Sequence, residues 1–151
     1  MRLARLALIP AAALLVAACS SGGGASTAPS ASAASSASAA ATRIEVNLLD
    51  SLRMEPATMT VPAGVPVTFV VTNAGSAEHE FFLGDEAAQT EHEQEMMSGG
   101  MAHGDPAGIA VKPGETMELT YTFAETGETL AGCHVVGHYG GGMKAEIKVT
   151  G

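Results

Sequence analysis

The chain of 151 residues holds only two cysteines, Cys19 and Cys133, so at most one disulfide could form within it. Positive charge is also scarce. Seven Lys and Arg stand against sixteen Asp and Glu, for a formal net charge of -9. That balance disfavours nucleic acid and anionic membrane surfaces as partners, and mildly favours basic partners or cations. Long apolar runs are missing too. The run Leu6 to Ala18 has 13 residues, too few to cross a hydrocarbon core roughly 30 Å thick as a helix. Residues 20–42 contain neither an aromatic nor a charged side chain, and such a segment cannot bury enough apolar surface to offset its ordering entropy.

What is present at the N-terminus is a leader pattern. Arg2 and Arg5 form a basic start, the short apolar run follows, and small residues lead to Cys19. The string Leu15-Val16-Ala17-Ala18-Cys19 resembles a bacterial lipobox. The resemblance implies cleavage of residues 1–18 as a lipoprotein-type signal peptide and lipidation of Cys19. The lipid would hold the protein at the extracytoplasmic face, periplasmic or on the outer cell surface. An ordinary signal cleaved nearby is the plainer alternative. Residues 19–42 then form a lipidated cysteine and a Ser/Ala/Gly tether spanning about 25–30 Å as a random coil. If Cys19 carries lipid, Cys133 has no partner in the chain. A lone thiol in an oxidising compartment needs a reason, and metal ligation is one.

From Arg43 onward the chain alternates with period two. Ile44, Val46 and Leu48 repeat this way, as do Val67, Phe69 and Val71. So do Met117, Leu119, Tyr121 and Phe123, and Ala145, Ile147 and Val149. This is the mark of half-buried strands. Turn residues separate them at Pro62-Ala63-Gly64, Asn73-Ala74-Gly75, Pro113-Gly114 and Thr126-Gly127. Residues 43–151 are therefore expected to form one all-β domain, an antiparallel sandwich or barrel of seven to eight strands. The stretch 84–107 breaks the pattern. Asp85 is placed to cap a short helix from Glu86 to about Met97, which reads as an insertion.

The chemistry concentrates between Cys133 and Met143. The segment reads C-x4-H-x4-M, with Cys133, His138 and Met143 converging from one loop between two strands. A thiolate, an imidazole and a thioether suit copper, which must be held as both Cu(I) and Cu(II). Zinc fits Cys and His but has little use for a thioether. Gly137 and Gly140 to Gly142 let the loop fold back on itself. A second imidazole is still needed, and His79 is the best candidate. It follows the Asn73-Ala74-Gly75 turn and precedes the apolar run Phe81-Phe82-Leu83.

These features resemble a cupredoxin of the broad plastocyanin and azurin family. The matching strings are VPAGVPVTFVVTNAG, then His79, then KPGETMELTYTF and GCHVVGHYGGGMKAEIKV. The resemblance implies a Greek-key sandwich. It also implies one type 1 copper with His79, Cys133 and His138 in a trigonal plane, Met143 as the weak axial ligand, and single-electron transfer. Many cupredoxins place Asn, Ser or Asp after the first histidine, where the side chain ties the ligand loops together. Here Glu80 follows, and an ionised carboxylate close to copper would lower its potential.

Residues 91–105, EHEQEMMSGGMAHGD, add His92, Met96, Met97, Met101 and His103. His92 and Met96 stand at i and i+4 on one helix face. One reading is a second, weaker copper site; the other is a solvated acidic helix whose methionines pack on the sandwich. Together with EHEF and HGDP, the insertion resembles exported cupredoxins associated with copper tolerance. His134 points away from the Cys133 side, either on an electron path or merely exposed, with the exposed reading favoured. Met54, Met59 and Met117 are core or surface fillers. Two functions follow as expectations: an electron carrier with exported redox partners, or a protein that captures and buffers copper with copper-handling partners. A monomer with no membrane contact beyond its lipid is expected. No catalytic type 2 histidine set is present, so no enzyme is expected.

Overall fold

A computed structural model describes residues 42–99 and 105–151. The expectations for the leader, Cys19 and the tether, and for Met101 and His103, lie outside these residues.

Nine strands and one helix are present among the described residues. In chain order they are β1 (Thr42–Leu49), β2 (Arg53–Glu55), β3 (Thr58–Pro62), β4 (Pro66–Asn73) and β5 (His79–Gly84). Then come α1 (Glu86–Met97), β6 (Gly108–Val111), β7 (Thr116–Thr122), β8 (Gly127–Gly132) and β9 (Lys144–Thr150). One sheet runs β2-β1-β4-β7 and the other β3-β9-β8-β5-β6. The all-β sandwich with a helical insertion is as expected, with one strand more than the seven to eight anticipated. The sheets are mixed rather than antiparallel throughout: β1 runs parallel to β4, and β3 parallel to β9. Period-two alternation reports which face a residue takes, and it is the same for either strand direction.

The alternating residues meet between the sheets. Val46, Leu48, Val67, Phe69, Val71, Leu119, Ile147 and Val149 are buried in one cluster with Met54 and Met59. Phe69 is its centre. Its ring lies 5.3 Å from Phe81 and 6.3 Å from Phe123, tilted to the first and edge-on to the second. Met117 is half-buried against the cluster, so all three methionines are fillers.

Strand β5 departs furthest from alternation, with His79 through Leu83 all buried. Helix α1 packs on its outer face and on β8. The helix starts where the sequence places it: Asp85 is the N-cap and accepts a hydrogen bond from the Ala88 N–H at 2.9 Å. Its sequence, EAAQTEHEQEMM, has no apolar stripe, and the side chains it buries are Gln89 and His92.

Candidate copper centre

Three strand ends converge at one corner of the second sheet. Strand β8 lies between β5 and β9 and is antiparallel to both, with Gly132 opposite Phe82 on one side and Lys144 on the other. The start of β5 delivers His79, the end of β8 delivers Cys133, and the start of β9 follows Met143. The intervening loop is closed by its own backbone. His138 N–H donates to Val135 O at 2.8 Å, Met143 N–H to His138 O at 3.0 Å and Cys133 N–H to Met143 O at 3.1 Å. Gly137 and Gly142 hold φ of +83° and +95°, a region that L side chains rarely enter.

The donor atoms face one another. His79 Nδ1 lies 3.2 Å from His138 Nδ1, and Cys133 Sγ lies 3.4 Å from His138 Nδ1. One ligand atom from each of His79, Cys133 and His138 falls within 4.8 Å of the others. His79 and Cys133 are fully buried and His138 is half-buried. Met143 is fully buried beside Cys133 in the core cluster.

The sequence reading missed the residue that orients His79. Asp50 lies just beyond β1, and its Oδ1 sits 3.3 Å from His79 Nε2. A carboxylate accepts, so Nε2 carries the proton and the Nδ1 lone pair points into the site. Asp50 also accepts from the Ser76 hydroxyl at 2.6 Å, Ser76 N–H at 2.8 Å and Ala77 N–H at 3.2 Å. Those donors, the Ser76 hydroxyl foremost, hold its carboxyl well below the usual range. Gly75 is required here, because a Cβ would overlap the Asp50 carboxylate and lie 3.0 Å from His79 Nε2. Buried Asn73 sets the same turn, donating to Ala77 O at 2.7 Å and Val111 O at 2.8 Å. No spacing rule links Asp50 to His79, 29 residues away.

The Glu80 carboxylate faces away from the donors, although its charge adds to the upward shift that burial gives the Cys133 thiol. The Glu80 backbone N–H donates to Cys133 Sγ at 3.3 Å, while its side chain lies on the opposite face of β5. There it accepts from His134 N–H at 3.1 Å and pairs with His92 Nε2 at 2.8 Å. Glu80 thus ties the two ligand-bearing segments together. His134 corrects the exposed reading: it is 3 % exposed, stacked on Tyr139 and bonded to Gln89. Burial chiefly, with His92 nearby, lowers its pKa to about 4, so it is neutral. Of the insertion residues, His92 is buried on Glu80, Met96 is half-buried and Met97 is 75 % exposed.

The set fits copper. It offers two imidazole lone pairs, a sulfur already receiving an N–H bond, and a buried thioether at the base. Burial, the largest influence, pushes the Cys133 thiol up to about 11, while burial lowers His138. The metal-free protein is therefore a neutral thiol at pH 7–9, and binding copper must release its proton. Apparent copper affinity is expected to rise about tenfold per pH unit over that window, as a competition titration would record. A flat profile would mean that the thiol is not displaced.

The comparisons agree with this geometry. No family model matches the chain. The copper-resistant cuproprotein CopI of Rubrivivax gelatinosus is 37% identical over 107 residues, covering 70% of this chain and 65% of that protein. The chain thus spans just under two thirds of that relative's length. The copper-resistant cuproprotein CopI of Pseudomonas aeruginosa is 35% identical over 136 residues, covering 70% of this chain and 75% of that protein. Among solved structures, dithionite-reduced auracyanin from Roseiflexus castenholzii superposes with a TM-score of 0.67 at 24% identity, covering 74% of this chain and 98% of that one. Auracyanin A, a "blue" copper protein of Chloroflexus aurantiacus, gives 0.62 at 27% identity, covering 72% of this chain and 98% of that one. With two imidazoles and a thiol at the corner of this sandwich, and with CopI proteins as relatives, the chain belongs to the CopI family of copper-resistant cuproproteins, which it joins as a copper-binding cupredoxin.

Proposed function

We propose that the copper centre is a type 1 site, in which His79, Cys133, His138 and Met143 would hold the metal. Its work is single-electron transfer in the service of copper tolerance. The observation that carries this reading is the convergence of two Nδ1 atoms and Sγ within 4.8 Å on a buried framework. Bound copper would supply the one-electron Cu(II)/Cu(I) couple. Asp50 fixes the His79 tautomer, and the Glu80 N–H holds the sulfur. The closed Cys133–Met143 loop keeps the donors in place in both redox states. Half-buried His138 is the side chain nearest solvent, and so the exit for the electron. The domain acts as a non-catalytic monomer at the extracytoplasmic face, tethered through lipidated Cys19, with exported redox or copper-handling proteins as partners.

The second reading is copper capture and buffering, with His92, Met96, Met97, Met101 and His103 as a second site, although His92 is paired with Glu80. The name of the relatives favours it, since resistance asks only that copper be removed. Copper counting separates the two. The full chain and a variant with Met96, Met97, Met101 and His103 changed to Ala are each expected to bind one copper per chain. A fall from two to one on substitution would establish capture instead.

A further inference from the structure

Outside the copper ligands, the densest set of buried polar side chains lies beneath helix α1. Glu80, Gln89, His92 and His134 are each 3 % exposed or less. Burying four such groups is costly unless they satisfy one another. The network does so with nearly every atom assigned. Gln89 Nε2 faces three carbonyl oxygens, Phe82 O and Gly84 O at 3.2 Å and Leu130 O at 3.3 Å, so it is the amide nitrogen that donates there. Its Oε1 therefore meets His134 Nε2, at 2.7 Å, and that nitrogen carries the proton. His92 lies flat on Phe82, with ring centroids 3.9 Å apart and planes 5° from parallel, and reaches Glu80 Oε1 at 2.8 Å. The other Glu80 oxygen takes the His134 N–H, and the Glu80 N–H reaches Cys133 Sγ. The helix has no apolar stripe with which to dock. What holds it down is the same set of bonds that holds the residues on either side of the copper sulfur.

We propose that helix α1 is a clamp on the copper centre, with His92 and Gln89 as positioning residues. They fix Glu80 and His134, and so the Glu80 N–H···Sγ contact between β5 and the Cys133 segment. The proposal rests on the type 1 reading, and it gives the insertion a role without a second metal. The imidazole of His92 is committed to Glu80 through Nε2, and its Nδ1 lies 3.9 Å from Glu95 Oε2. Loss of His92 leaves a buried carboxylate with a single donor. Glu80 then relaxes towards water, and the N–H that sets the sulfur moves with it.

The test loads the full-length protein and its variants with copper and reads affinity, visible spectrum, reduction potential and stoichiometry. The unaltered protein must first show the thiolate-to-copper band; its absence there would defeat the type 1 reading itself. His92→Ala is expected to bind copper about 10–100-fold more weakly, the range for lost support of a metal ligand, with a shifted band and potential but still one copper. His92→Gln, which keeps an N–H for Glu80, is expected to recover most of the affinity. Thr90→Ala changes an exposed position of the same helix, away from the network and without weakening the helix, and is expected to leave the copper site unchanged. Should His92→Ala fail to fold, Gln89→Met, which removes the acceptor for His134, is measured against the same expectation. The clamp is overturned if affinity and spectrum survive these substitutions, if Thr90→Ala causes the same loss, or if stoichiometry falls instead.

Discussion

Changing Cys133 to Ser is expected to abolish the intense visible absorption of the copper-loaded protein while the metal-free fold persists. The band arises from charge transfer between a thiolate and Cu(II), and Cys133 is the only thiol among the described residues. Met143 supplies a neutral thioether and cannot replace it. Serine has nearly the same shape, and its oxygen can still accept from the Glu80 N–H, which now bonds to Sγ. The core around position 133 therefore keeps its packing, and circular dichroism of the metal-free variant should match that of the parent. Copper affinity falls steeply, because an alcohol does not ionise to a soft ligand. A band that survives in Cys133→Ser would mean that the ligand set is wrong.

The second large effect is on stability. Phe69→Ala is expected to cost about 3–5 kcal/mol, because it removes a fully buried ring and leaves a cavity that a rigid sandwich cannot collapse around. Phe69 on β4 is 0 % exposed, touches Phe81 on β5 of the other sheet, and meets Phe123 just beyond β7. In a domain of this size such a loss lowers Tm by at least about 10 °C. Thermal unfolding of the metal-free protein would record it, keeping copper from masking the change by binding the native state. A shift of only a degree or two would place the core elsewhere. Phe81 is also two residues from His79, so a loosened core reaches the metal through the start of β5.

Much of the copper corner was legible before any coordinates. The loop from Cys133 to Met143 announces its donors because all three are local, and the spacing leaves the chain one compact way to bring them together. His79 was legible because the turn at Asn73-Ala74-Gly75 and the apolar run after it mark the start of a strand. The helix from Glu86 to Met97 was legible from its Asp85 cap. Asp50 was not, since its partners lie at Ser76, Ala77 and His79 and nothing along the chain signals the pairing. Glu80 is legible as a residue but its partners are not, because one strand position separates a side chain facing copper from one facing the helix. The same parity buried His134, which pattern alone had favoured as exposed.

The sequence by itself determined the kind of domain, the four candidate donors and the metal they suit. These depend on residue type, period and short spacing, which are properties of the chain alone. Tertiary structure decided strand direction, the partner of His79 and the place of the insertion. Each depends on contacts between segments tens of residues apart, and a helix without an apolar face gives no hint of what it will cover. Only in the fold do Gln89 and His92 meet Glu80 and His134, and so come within two bonds of the copper sulfur's own hydrogen-bond donor.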